Sequence, residues 1–190
     1  VSGLLTGAHL EAALRDDVRY SVFRLETLQE YRGSGEDAWI SAFNDGDPGP
    51  PPDPAQDDWE ALVRAHRRAG RLMQRVHVVT EPLTDYMRFE LTWAYAPNVA
   101  AGEDIRIVPV GPDRPWPADL PHEDFWLFDS SVLYAARYAD DGYWLGVESV
   151  TDPTAIVAAC RWRDAALHLA QLWADYVATR PSLVDRLPAP

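Results

Sequence analysis

Apolar residues recur along this chain with two periods. Leu10, Leu14 and Val18 stand at i, i+4 and i+8 within residues 7–19, the spacing of one face of a short amphipathic helix. The next stretch, SVFRLETLQEY, fits strand and helix equally. Residues 34–44 predict a second helix, with Trp39, Ile40 and Phe43 on its apolar face and Ser34 as its cap. Glu36 and Asp37 suit its positive end, and Gly46 can end it. DGDPGPPPDPAQ (45–56) carries five prolines and is expected to lack regular structure. A helix capped by Asp57 follows, turning Leu62, Val63 and His66 inward and stopping at Gly70. LMQRVHVVT (72–80) predicts a strand rich in β-branched residues. From Pro82 a helix aligns Leu83, Met87 and Leu91 until Pro97 and Asn98 break it, and IRIVPV (105–110) is a second strand.

Beyond a further Pro-rich loop, FWLFD, SVLYAARY and YWLGVESV are strand-like, and Asp141-Gly142 predicts a type I′ hairpin turn between the last two. Asp152-Pro153 opens a helix expected to reach Thr179, with Ile156, Ala159, Arg163, Ala166, Ala170 and Trp173 near one stripe. The order predicts an α/β (mixed α+β) fold. Its mixed β-sheet has about five strands with flanking helices, an N-terminal helical extension and a long C-terminal helix. Segments 72–80 and 105–110 are expected as parallel neighbours joined by a helical crossover, and 131–139 with 143–150 as an antiparallel hairpin. Residues 1–46 are expected to pack on a core formed by 57–190, with 47–56 as a Pro-rich linker and the whole as one compact unit.

Composition narrows the chemistry. The 190 residues carry 17 basic and 30 acidic side chains, a net charge of −13, and every basic residue is arginine. Without lysine there is no Schiff base, P-loop, kinase site or His-Lys phosphodiesterase pair. The excess of acid disfavours direct nucleic-acid binding over the surface as a whole. The single Cys160 cannot form an internal disulfide or a cysteine zinc site, and the five histidines form no ligand motif, so no metal and no cofactor is expected. No stretch reads as a signal peptide or membrane span, which points to a cytoplasmic protein away from membranes.

Several polar groups are candidates for a site. Thr84, Asp85, Tyr86, Arg88 and Glu90, followed by Asn98, Glu103 and Asp104, come after the end of a central strand, where open α/β sheets place ligands. Thr84 with Arg88, and Tyr86 with Glu90, are i, i+4 pairs on two adjacent polar faces. Asp124 and Asp129 bracket Phe125-Trp126-Leu127-Phe128 and are expected at the same end, with Trp126 between them. Such a group suits a polar metabolite, a protein partner or acid–base work; it also suits a surface ion-pair network with Thr80 capping the helix. Arg64, Arg67, Arg68, Arg71 and Arg75 form a possible anion or partner patch, or else complement the negative end of their helix. Gly33-Ser34-Gly35-Glu36-Asp37-Ala38 formally fits a dinucleotide fingerprint, but the strand before it is polar and its two acids would repel phosphate, so a capped turn is the better reading. His122-Glu123-Asp124 reads as a loop cluster rather than a ligand set.

PLTDYMRFELTWAYAPNVAAGEDIRIVP (82–109), DFWLFDSSVLYAARYADDGYWLGVESV (124–150) and RWRDAALHLA (161–170) resemble an uncharacterised family of high-GC bacteria, domain of unknown function 6879. The upstream FRLETLQEY and the tryptophan helix after the proline loop match its layout. The resemblance implies no catalytic residues, but members are often encoded beside helix-turn-helix regulators. A weaker, fold-level likeness is to half of a phospholipase-D-like domain without its catalytic lysine. The resulting expectation is a non-catalytic protein acting through a protein partner or small ligand, as an accessory to a helix-turn-helix transcriptional regulator. The alternative is a small enzyme of specialised metabolism using an Asp85/Arg88/Glu103 pocket within residues 84–104.

Overall fold

The computed structural model describes residues 3–33 and 35–184. In chain order these are α1 (Gly7–Asp16), β1 (Ser21–Glu26), α2 (Asp37–Asp45), α3 (Pro54–Arg68), β2 (Leu72–Thr80), α4 (Asp85–Phe89), a π-helical turn (Glu90–Ala94) and α5 (Tyr95–Ala101). There follow β3 (Asp104–Val110), β4 (Phe125–Phe128), β5 (Val132–Tyr138), β6 (Trp144–Val150), α6 (Pro153–Leu169), β7 (Gln171–Leu172), α7 (Trp173–Ala178) and α8 (Pro181–Val184). The strands form one mixed sheet in the order β6-β5-β4-β1-β2-β3-β7. β1, β2 and β3 are parallel; β4, β5, β6 and β7 join antiparallel to their neighbours.

The sheet is thus mixed as expected but has seven strands, not five. The first addition, β1, is the segment whose pattern fitted helix and strand equally, and it lies at the centre. Hydrogen-bonded on both edges and covered on both faces, it is decided by long-range pairing rather than local propensity. Side-chain alternation then divides its residues. Phe23 and Leu25 face α6 together with Val76, Val78, Val108 and Leu127. Val22, Arg24 and Glu26 face the other layer, where α1 and α3 pack Leu10, Leu14, Trp59 and Leu62 near Trp126, Phe128 and Tyr134. Farther along that layer, α2, α4, the π-turn and α5 bring Phe43, Phe89, Leu91 and Trp93 onto Ile105 and Ile107.

Other differences from the sequence expectation have local causes. The Pro-rich stretch enters a helix four residues early: Pro54 takes the first helical position and the Asp53 carboxylate accepts from Ala55 N–H at 2.9 Å. Asp57 is therefore in the first turn, not the cap. Pro97 does not end its helix. It falls in the first turn of α5, where a missing N–H is tolerated, because the π-turn has just reset the hydrogen-bond register. The helix begins at Thr84, whose hydroxyl accepts from Met87 N–H; Thr80 is the last residue of β2. The last long helix stops at Leu169 because residues 171–172 pair with Arg106 and Ile107 at the open edge of β3. The expected Ser34 cap lies outside the described residues.

The hairpin of β5 and β6 forms, but its turn is not type I′. Only Gly142 (φ 80°) has positive φ, with its N–H on the Ala139 carbonyl, which gives a longer loop closed by a glycine bulge. The paired positive φ angles occur instead at Asp129 (50°) and Ser130 (56°), where Ser131 N–H reaches the Phe128 carbonyl across the β4–β5 turn. Asp129 also accepts from the backbone N–H groups of Arg19, Tyr20 and Ser21 at 2.8–2.9 Å. Partial burial opposes its ionisation, but these bonds outweigh that and hold its carboxyl below the usual range. Asp129→Ala should therefore cost about 2–3 kcal/mol, through three lost bonds to a charged acceptor and a left-handed alanine. Its contribution is complete above the unfolded carboxyl pKa of about 4 and is lost as pH falls through the lower folded value. Urea melts of wild type and Asp129→Ala at pH 7 and in acid should converge as the pH falls.

Candidate functional site

On the face of the sheet opposite α6, the helical layer leaves a cavity of about 420 Å³. Arg24 and Glu26 of β1, Arg75 of β2 and Trp126 of β4 form its floor; α1, α3, the π-turn, α5 and the chain following β1 supply its walls. It straddles β1, the central strand, which has a parallel neighbour on one side and an antiparallel one on the other.

The floor is a buried charge network. Arg24 Nη2 lies 2.7 Å from Glu26 Oε1, and its guanidinium sits 4.7 Å over the Trp126 ring. Arg75 Nε donates to Glu103 Oε1 at 2.8 Å and Nη1 reaches Glu26 Oε1 at 3.5 Å. Trp59 Nε1–H donates to the other Glu103 oxygen at 3.2 Å. Burial works against the Glu26 charge, but Arg24, Arg75 and His77 outweigh it and bring its pKa down to about 2. The Tyr95 hydroxyl lies 2.6 Å from His77 Nδ1 and 2.9 Å from Glu26 Oε2, while His77 Nε2 meets the Leu28 carbonyl at 2.7 Å. Burial pushes the His77 pKa down, partly opposed by Glu26.

A second polar hub braces the wall. Asp124 accepts from Thr27 N–H and Oγ1 at 2.7 and 2.6 Å, and from the Tyr31 and Tyr138 hydroxyls at 2.7 and 3.0 Å. It thereby ties the chain after β1 to β4 and β5. Above the floor, Gln56 of α3 donates to Asn98 Oδ1 of α5 at 2.7 Å. Glu90, at the head of the π-turn, is 5% exposed and accepts from the Tyr86 hydroxyl at 2.6 Å. Burial, reinforced by Glu36 and Glu26, raises its carboxyl well above the ordinary range.

Of the residues singled out from the sequence, Tyr86, Glu90, Asn98, Trp126 and Arg75 line this cavity. Glu103 lies just beneath, committed to Arg75 and Trp59. The others are elsewhere. Thr84 caps α4, and Asp85 and Arg88 are exposed on it. Thr84 and Arg88 do not meet as a side-chain pair: the Thr84 hydroxyl donates to the Gln29 carbonyl, and Arg88 Nη2 reaches the Leu83 carbonyl. Asp104 is held by Gln74 and Arg106. Asp124 and Asp129 lie at opposite ends of β4, beside Thr27 and Ser21, because that strand spans the gap between them. The arginine cluster also divides: Arg64, Arg67 and Arg68 ride exposed on α3, with Arg64 paired to Glu60, and Arg71 follows the helix half-buried, whereas Arg75 is under the cavity. Position 33 needs glycine for two reasons: its φ is positive (74°), and a Cβ there would come 2.7 Å from the Tyr143 ring.

The sequence reading missed Arg24, Glu26, Tyr31, Gln56, Trp59 and Trp144. One signal was available: in SVFRLE, Arg24 and Glu26 are two apart, so as a strand they fall on one face. Gln56 was hidden in the stretch assigned to a linker.

Fold and cavity together define a mixed α/β protein with a charged, aromatic-lined recess on one sheet face. It belongs to the family described as domain of unknown function 6879, which matches residues 8–178. No curated protein matches the sequence. Among the described residues no helix is long and apolar enough to cross a membrane.

The floor gives a stability test. Arg75→Met should cost about 3–5 kcal/mol by stranding Glu103 and weakening the hold on Glu26, lowering the melting temperature by roughly ten degrees. Adding Glu103→Gln should restore much of the loss, since the amide still accepts from Trp59 without a buried charge. Calorimetric melts of the two variants check this; a double variant no more stable than Arg75→Met would contradict it.

Proposed function

We propose that this protein is a non-catalytic, cytoplasmic ligand-binding module that takes a small polar metabolite in the cavity over β1 and signals its occupancy to a protein partner, a helix-turn-helix regulator. The observation that carries this reading is the cavity itself. Its size falls within the range of small-molecule sites, and its charged and aromatic walls stand on a paired, rigid floor. The chain after β1 offers a route to a partner. Tyr31 is bound to Asp124 inside, while Arg32 is paired through the backbone with Trp144 on β6 at the rim. A ligand that reorders this segment would change the surface outside it. The reading as an enzyme built on Asp85, Arg88 and Glu103 has less support, since two are exposed on α4 and the third is occupied by Arg75 and Trp59.

Gln56→Trp tests the proposal by filling the cavity from a half-buried position on α3. Wild type should be stabilised by at least one fraction of a small-molecule extract from a high-GC bacterium, read as a shift in melting temperature. The variant should stay folded, melting a few degrees lower for the lost bond to Asn98, and lose that shift. Equal shifts in both proteins, or none in wild type, would reject the cavity as the binding site.

A further inference from the structure

Among the described residues three buried side-chain atoms have no hydrogen-bond partner: Trp39 Nε1, His66 Nδ1 and Glu90 Oε2. Of these, only Glu90 belongs to a residue lining the cavity over β1. Its other oxygen is held by Tyr86, so the carboxyl has a fixed orientation and one free hydrogen-bonding position. It heads a π-helical turn, an irregularity that recurs at functional sites. A buried polar atom without a partner is costly, and a ligand that supplied the partner would recover that cost.

The groups around Glu90 indicate the chemistry of such a ligand. Glu36, ahead of α2, and Glu26 of β1 bring negative charge; Arg75 of β2 opposes it, and Tyr86 and Tyr95 bring hydroxyls from α4 and α5. Arg75 is taken up by Glu103 and Glu26, and Arg24 by Glu26 and the Trp126 face. Even with Glu90 neutral, Glu11, Glu26, Glu36, Glu103 and Asp124 at or just behind the walls outnumber Arg24, Arg32 and Arg75. The aromatic rings of Trp59, Trp144 and Tyr86 are also among the lining residues, and aromatic rings attract cations.

We propose that the cavity takes an organic cation, a protonated amine on an apolar frame, with its ammonium donating to Glu90 beside Tyr86. The proposal deepens the ligand-binding reading above and rests on it. Burial and the neighbouring carboxylates keep Glu90 protonated in the empty protein. An ammonium placed against it reverses both influences: it replaces the missing solvation and offsets Glu36 and Glu26. Binding therefore converts the neutral acid to a carboxylate, and the Glu90 proton passes to the buffer. An anion would meet the same carboxylates as repulsion, and a neutral ligand would leave the proton in place.

Three probes on related skeletons separate these cases: phenethylamine as cation, 2-phenylethanol as neutral and phenylacetate as anion. Titration calorimetry at pH 7 in phosphate and in Tris, whose ionisation enthalpies differ, measures proton release. Phenethylamine should bind at least ~10-fold more tightly than the other two and release about one proton per site. Glu90→Gln should fold with nearly unchanged stability, because the amide resembles the neutral acid, and should lose both the affinity and the proton release. Binding of phenethylamine without proton release, or undiminished in Glu90→Gln, would overturn the assignment of Glu90. Tighter binding of the alcohol or the carboxylate, abolished by Gln56→Trp, would overturn the cation and leave the cavity reading standing. If no probe binds saturably to wild type, both fail.

Discussion

The structure turns on a charge pair buried against the centre of a sheet. Arg24 and Glu26 project from β1, the central strand of the sheet, into a layer that otherwise holds mostly tryptophan, tyrosine and leucine. Removing two charges from water is expensive, and the pair persists because its remaining polar atoms are served. Arg75 approaches the same carboxylate, Glu103 holds Arg75, Trp59 holds Glu103, and Tyr95 links Glu26 to His77. The partners come from several elements. The network therefore ties β1, β2, α3, α5 and the start of β3 together, and a helical layer that serves these charges cannot close fully over them. The cavity follows from this arrangement.

The mixed topology is what makes the arrangement possible. Two crossovers, through α2 and α3 and then through α4, the π-turn and α5, lay helices over the same face of the parallel half. β4 then returns antiparallel on the free edge of β1, bringing Trp126 under Arg24 and Asp124 against Thr27. A cavity straddling β1 has rigid strands below and three kinds of wall above: a helix preceding the sheet, two crossover helices and the chain leaving the central strand. Rigid floor and separable walls suit a module whose surface responds to what it holds.

The fold was legible wherever a periodic pattern was long enough to speak for itself. The strand at 72–80, its parallel neighbour at Asp104–Val110, the β5–β6 hairpin and the row of Met87 and Leu91 could be read directly, because regular alternation or helical spacing reflects burial on one face. Half of the polar group after Pro82 was misplaced for a related reason. Residues on one polar stretch of a helix look alike in sequence, yet they lie on different faces of it: the face with Tyr86 and Glu90 is buried, while Asp85 and Arg88 face water. Which polar face is covered depends on the layer packed over the helix, which the local spacing does not encode.

The sequence by itself determined the class of fold, the absence of lysine chemistry, the parallel pair and the hairpin, since these rest on composition and on local spacing. Tertiary structure alone decided three things. It made SVFRLE the central strand, because pairing on both edges and burial on both faces outweigh an undecided local propensity. It ended the last long helix at Leu169, because the open edge of β3 offered backbone bonds to residues 171–172. And it gathered Arg24, Glu26, Arg75, Glu90 and Trp126 around one recess. These residues are spread across more than a hundred positions of chain, and only the parallel crossovers and the antiparallel return of β4 bring them within reach of one another.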